Sequence, residues 1–224
     1  MKIITLHNQK GGVGKTTIAT HLAWHLGERH HAVLLELDAQ GNASDTLLTG
    51  YAAGKASQLF DTPIHLEHKI GIDVLEADDR LLDIKEHQIE QFVKNVRQLN
   101  VDYVIIDTPP ALNAACLAGI KSADYIACPI QPERYSITGL DRMLSVIAHE
   151  NEDVNLIGLI VNHFNSRSAF HKENIQEIDY FHILNTRSTV AESSQLQKPV
   201  WSLRNVDAAK EFRTLCEKLE GAMS

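Results

Sequence analysis

Residues 8–17 read Asn8-Gln-Lys-Gly-Gly-Val-Gly-Lys-Thr-Thr17 and follow Ile3–Leu6, an apolar run with the length and composition of a β-strand. Gly11, Gly12 and Gly14 let the backbone take conformations that side chains resist. Lys10, Gly11, Gly12, Val13, Gly14, Lys15, Thr16 and Thr17 can therefore turn several N–H groups toward an anion at the positive end of the helix that follows. Lys15 supplies a point charge for the β and γ phosphates of a nucleotide, and Thr16 offers a hydroxyl to a metal ion. The implied cofactors are ATP and Mg2+. A glycine-rich turn with no ligand is the plain alternative, but strand, loop and helix in this order are the context that phosphate binding requires.

Two carboxylates extend the set. Leu34-Leu-Glu-Leu-Asp38 and Val104-Ile-Ile-Asp107 each end a buried run with an acid, which places Asp38 and Asp107 at the carboxyl edge of a sheet beside the loop. There a carboxylate can serve Mg2+ or a water molecule; a strand-end cap is the structural alternative. Phosphoryl transfer needs charge neutralisation and an in-line water more than covalent chemistry, so Lys10, Lys15, Asp38 and Mg2+ form a sufficient catalytic set.

The elements that must position these groups alternate along the chain. Apolar runs at Lys2–His7, Ala32–Leu37, Gly71–Leu75, Val101–Ile106, Tyr125–Ile130, Leu156–Val161 and, more weakly, Phe181–Leu184 predict strands. Between them Ile18, Leu22 and Leu26 recur at helical spacing, as do Ile89, Phe92, Val96 and Leu99, and then Leu140, Leu144 and Ile147. This order predicts an α/β fold, a mostly parallel twisted sheet with helices on both faces, in one domain over residues 1–224. Gln40–Pro63 and Asn162–Lys172 concentrate Gly, Ser, Asn and Asp and read as loops.

Composition narrows the function classes. A net charge of −8 argues against a surface that coats nucleic acid throughout, but residues 180–224 hold 6 basic and 5 acidic side chains, so a polyanion-binding face falls near the C-terminus. Cys116, Cys128 and Cys216 are odd in number and lie in apolar contexts, which suits reduced core thiols. The 12 histidines show no metalloenzyme spacing. No apolar run approaches the roughly 18 residues that span a bilayer and the start lacks a signal-peptide layout, so a cytoplasmic protein without membrane association is expected.

The strict phosphate-loop pattern places glycine at position 9, where this chain has Gln9 followed by Lys10. The segment resembles the deviant Walker A loop of the ParA/MinD ATPases, which have a P-loop α/β sandwich fold. The resemblance runs from Lys2 through Gln131-Pro-Glu-Arg-Tyr-Ser-Ile-Thr-Gly-Leu140 to Ala208-Ala-Lys-Glu-Phe-Arg-Thr-Leu215. It implies that Lys10 reaches the nucleotide of a second copy in an ATP homodimer; contact within its own subunit is the alternative. It further implies that Asp107 holds a metal-bound water with Thr16 as direct ligand, and that Asp38 orients the attacking water. Asn162 takes the place that reads the adenine edge. Slow hydrolysis stimulated by a partner is implied, with Asp107-Thr-Pro-Pro-Ala111 and Gln40-Gly-Asn42 sensing the γ-phosphate.

Within the family the chain looks like the short ParA-type proteins without an added N-terminal DNA-binding domain. Their relatives position plasmids, chromosome regions or protein assemblies over nucleoid DNA with a ParB-like or other small adaptor. The tail Glu217-Lys-Leu-Glu-Gly-Ala-Met-Ser224 is unlike the basic amphipathic helix of membrane-bound relatives. Arg187, Lys198, Arg204, Lys210 and Arg213 are the candidates for non-specific DNA contact, or are solvated helix faces. Thr186 and Thr189 stand near positions where many relatives carry arginine, and this leaves open a nucleotide-switched adaptor that does not bind DNA. A carboxylate-activating ligase on the same scaffold would need substrate-binding arginines near the loop, which the sequence lacks.

Overall fold

The computed structural model describes residues 1–43, 51–132 and 137–224. Parts of two expected features, the loop Gln40–Pro63 and the segment Gln131–Leu140, lie outside these residues.

Alternation within the strands explains the layered core. In β1 (Lys2–Leu6), Ile4 and Leu6 face one layer and Ile3 the other; in β2 (His31–Glu36), Ala32 and Leu34 oppose Val33 and Leu35 in the same way. Successive side chains in a strand point to opposite faces, so a central strand apolar at every position must be covered on both. The first face is covered by α1 (Lys15–Gly27), whose Ile18, Leu22 and Leu26 are fully buried, and by the C-terminal helix, here α7 (Val206–Ala222). The other face packs against α2 (Ile89–Val96), where Phe92 stacks on Phe60 at 4.3 Å between ring centroids. Each fully buried Leu, Ile or Phe in these stripes stabilises the fold by about 1.5–3 kcal/mol. Cys116, Cys128 and Cys216 are free and buried, as expected of core thiols.

Eight strands form one sheet in the order β3-β4-β2-β5-β1-β6-β7-β8, every pairing parallel. The remaining strands are β3 (Ala52–Lys55), β4 (Gly71–Glu76), β5 (Tyr103–Asp107), β6 (Tyr125–Ile130), β7 (Asn155–Phe164) and β8 (His182–Asn185). Three helices complete the elements used below: α3 (Ala114–Ser122), α4 (Ile137–Glu150) and α5 (Ala169–Asn174); the helix before α7 is α6 (Ser188–Gln195). The expected α/β sheet sandwich is thus the observed fold.

Two expected loops contain regular structure. Ala52-Ala-Gly-Lys55 pairs at the sheet edge with β4, and the 3-10 turn that follows buries Ala56, Leu59 and Phe60. Its lack of β-branched residues leaves no sequence signal, and pairing with β4 alone makes it a strand. Similarly, β7 continues through Asn162 to Phe164, and α5 begins after Ser168, whose side chain accepts the His171 N–H. No helix among the described residues is long and apolar enough to cross a membrane.

Candidate active site

β1 lies between β5 and β6, and the glycine loop leaves its carboxyl end at the centre of the sheet. Gly12 and Gly14 have φ of 73° and 98°, and Gly14 is the left-handed N-cap of α1. A Cβ on Gly14 would lie 2.1 Å from Asn162 Nδ2, so both the turn and the close approach exclude a side chain there. Side chains at the ends of neighbouring strands hold the loop carbonyls. Gln131 Nε2 donates to Gly12 O at 2.6 Å and Asn162 Nδ2 to Val13 O at 2.9 Å. Asn8 accepts the Lys10 N–H at 2.9 Å while donating to Pro129 O at 2.7 Å. The cradle is fixed before any ligand arrives, with the positive end of a 13-residue helix behind it.

Lys15 is buried and its Nζ donates to Lys10 O at 3.3 Å. Burial pulls its pKa down, and the carboxylates of Asp107 and Asp38 work against that pull. Thr16 Oγ1 donates to Asp107 Oδ2 at 2.6 Å. Asp107 is the last residue of β5, opposite Leu6 of β1, and is completely buried; its Oδ1 has no hydrogen-bond partner among the described residues. Burial pushes the Asp107 carboxyl up to about 7, against the lowering effect of Thr16 and Lys15, and nearby Glu36 and Asp38 raise it further. A buried carboxyl with an open acceptor beside a threonine hydroxyl fits a hydrated divalent cation, whose charge would hold the acid ionised.

Asp38 lies two residues beyond β2, half-buried, and its Oδ1 accepts the Gln40 N–H at 3.1 Å. With Asn42 and Pro110 it lines one side of a cleft of about 600 Å3 above the glycine loop, Lys15, Thr16 and Thr17. His163, Ser194 and Gln195 line the other side. This volume suits a nucleotide-sized ligand.

Two residues of the site carried no motif in the sequence. Glu36, fully buried in register with Asp107, accepts the Ala43 N–H and so ties the segment after Asp38 to the sheet; an acid inside the apolar run Leu34–Leu37 was the available signal. His7 is buried with Nδ1 3.3 Å from Thr108 Oγ1, and burial, followed by the Lys15 charge, brings its pKa down to about 4, so it is neutral at pH 7. Cys116, 3.6 Å from the same nitrogen, is pushed up to about 12 by burial and is no nucleophile.

Lys10, Asn162 and the C-terminal cations lie outside the lining of this cleft. Lys10 is exposed and lies outside the lining of the cleft, beside a smaller hollow of about 280 Å3 that also meets Gln9 and Arg142. Asn162 is not part of the cleft lining either: one end of its amide braces Val13, and its Oδ1 accepts the His163 N–H at 2.9 Å. Of the C-terminal cations, Arg187 pairs with Glu211 at 2.7 Å and Asp207 at 3.7 Å. Arg213 makes a two-pronged pair with Glu28 at 2.6 and 2.7 Å and sits 4.0 Å over the Trp201 ring. Lys198, Arg204 and Lys210 are exposed.

Residues 1–158 match the family model described as an AAA domain. The IncC protein of Escherichia coli is 31% identical over 97% of this chain and 68% of its own length. The chromosome partitioning protein ParA of Myxococcus xanthus is 31% identical over 79% and 70%. Among solved structures, a Borrelia burgdorferi protein described as a plasmid partition protein, bound to AMPPNP, superposes with a TM-score of 0.83 at 21% identity, covering 98% of each chain. With its loop, its paired carboxylates and these relatives, the chain belongs to the ParA/MinD family of P-loop ATPases, which use ATP and Mg2+.

Proposed function

We propose that this ATPase positions a cargo, a plasmid, chromosome region or large protein assembly, over nucleoid DNA by alternating between an ATP homodimer and a released monomer. The observation that carries the reading is Lys10, exposed next to a phosphate cradle it does not line. A lysine left outside its own cleft has the reach to serve the nucleotide of a second copy.

In this reading Gly11, Gly12, Val13, Gly14 and Thr17 hold the phosphates through their backbone N–H groups, and Lys15 neutralises the β and γ oxygens. Thr16, through its hydroxyl, and Asp107, through its open carboxylate oxygen, are the residues that would hold Mg2+. The metal ion, when bound, supplies positive charge that stabilises the phosphoryl group as it leaves ADP. Asp38 orients the attacking water in line, and Lys10 of the second copy completes charge neutralisation. A ParB-like or other small adaptor accelerates this step, and the ADP form leaves the DNA. Of the five C-terminal candidates, Lys198, Arg204 and Lys210 are exposed and form no ion pair among the described residues, so they could meet phosphate without first breaking one.

Retention on non-specific duplex DNA, with ATP and Mg2+ against ADP at two salt concentrations, tests the reading. ATP-dependent, salt-sensitive retention that Lys10→Ala abolishes supports it; equal retention with ATP, ADP or no nucleotide overturns it. The internal pairing of Arg187 and Arg213 favours a second reading, an adaptor that ATP switches between monomer and dimer without DNA. ATP-driven dimerisation with no DNA retained would select it.

A further inference from the structure

Glu36 is a fully buried acid that takes no part in the steps above. It is the last residue of β2, in register with Asp107 and two residues before Asp38. Its Oε1 accepts the Ala43 N–H, and its Oε2 accepts the Ala77 N–H, just beyond β4, in a longer contact of 3.5 Å. We propose that Glu36 is a positioning residue for hydrolysis: its two oxygens clamp the segment from Asp38 to Ala43 against the end of β4 and so fix where Asp38 holds water. This assignment rests on the reading of Asp38 as the group that orients the attacking water.

The segment is a short loop held at both ends. At its start the Leu37 N–H donates to Asp107 O at 2.9 Å, and at its end the Ala43 side chain is fully buried in the same core layer as Ile18 and Leu22. Between them the Gly41 N–H donates to Asp38 O at 3.1 Å, with Gly41 at φ of 70°. Asp38 and Asn42 of this loop line the cleft, and Glu36 does not. The chain leaves the sheet at Leu37 and is caught again at Ala43 by the side chain next to its point of departure, so Glu36 acts on the cleft through the loop alone.

The clamp requires a carboxylate. A charge in the core is costly unless hydrogen bonds satisfy it, and the neighbouring Leu35 and Leu37 are both buried and apolar. Two N–H groups on separate segments need two acceptors; a carboxylate has two, whereas a carboxamide has one and would set its NH2 against the other N–H, donor to donor. The β4 side is a firm anchor. Val74 and Leu75 are buried in register with Leu34 and Leu35 of β2, and Asp78, next to Ala77, accepts Ser57 Oγ at 2.7 Å and the Arg80 N–H at 3.1 Å.

Single-turnover hydrolysis and calorimetric ATP binding in Mg2+, measured for Glu36→Gln, Asp38→Asn and the double variant, test the assignment. Glu36→Gln should lower the hydrolysis rate on the order of tenfold with ATP affinity within about twofold of the parental chain, because it displaces Asp38 and leaves the phosphate cradle in place. In the Asp38→Asn background the same change should lower the rate no further, since the group it positions is already gone. Amide exchange at Ala43 should speed up in Glu36→Gln while the amides of β1 keep their protection. Where Glu36→Gln does not fold, Glu36→Asp, which keeps both acceptors one methylene short of their donors, carries the same test. A parental rate, a loss of ATP affinity that matches the loss in rate, or a comparable further fall in the double variant overturns the proposal. An Asp38→Asn variant that hydrolyses ATP at the parental rate would instead remove the reading of Asp38, and the assignment with it.

Discussion

At the mouth of the glycine loop, buried Lys15 stands beside Asp107, a carboxyl with an open acceptor and a pKa raised to about 7, and the loop carbonyls are tied back by Gln131 and Asn162. Along the C-terminal segment, Arg187 and Arg213 are closed into pairs with Glu211 and Glu28. The first region keeps polar groups incompletely satisfied, which costs stability and is repaid only by a ligand that completes them. The second pairs both of these arginines with carboxylates within the fold, although Arg187 Nε has no hydrogen-bond partner among the described residues, so phosphate would have to displace carboxylates already in place. Phosphate capture by the loop is built in advance, whereas nucleic-acid capture by these two arginines is not.

The sharpest way to break this contrast is at Lys15. Lys15→Ala should lower ATP hydrolysis by at least about a hundredfold, because no other described cation lines the cleft, and a single-turnover assay reads it directly. Activity within a few fold of the parental chain would mean the cradle is not where the chemistry occurs. Asp38→Asn should lower turnover by about a hundredfold with ATP affinity nearly unchanged, as expected for a group that acts on water rather than on phosphate. A matching loss in affinity would make Asp38 part of the binding site.

The seam between the regions is His21, packed among Trp24, Trp201 and Phe212 and fully buried. Burial brings its pKa from 6.5 down to about 4, despite the opposing hydrogen bond to Thr17. Between those values only the unfolded chain takes up the proton, so the contribution of neutral His21 is present above pH 6.5 and falls by up to about 3 kcal/mol as the pH drops to 4. Denaturant unfolding from pH 7 to 4 should show this slope, and His21→Leu should remove its share of it. An unaltered slope in the variant would mean that His21 keeps an ordinary pKa in the fold.

The smallest effect is expected at Arg213. Its pair with Glu28 is partly exposed, so Arg213→Ala should cost about 1 kcal/mol with the Trp201 contact included, a fall in Tm of about 2–4 °C. DNA retention, if present, should change little. A selective loss of retention with no change in Tm would show that the Glu28 pair opens for nucleic acid, and the contrast between the two regions would fall.

The glycine loop, its strand and its helix were legible because their information is local: three glycines, Lys15 and Thr16 sit within six residues, after an apolar run and before a helical stripe. Asp38 and Asp107 were legible for the same reason, each standing directly after its own apolar run. The edge strand Ala52–Lys55 was not, because it has no pattern of its own and exists through its pairing with β4. Asn162 carries a relation that only the fold shows: its amide donates to Val13 O and so ties β7 to the glycine loop. Likewise the count of C-terminal cations could be read from sequence, but not that Glu28, 185 residues away, would neutralise one of them. Sequence alone determined the phosphate loop, the sheet class and the family, since each is carried by residues near one another in the chain. Tertiary structure decided which of the charged groups remain available, because burial and ion pairing depend on partners that only the folded sheet brings together.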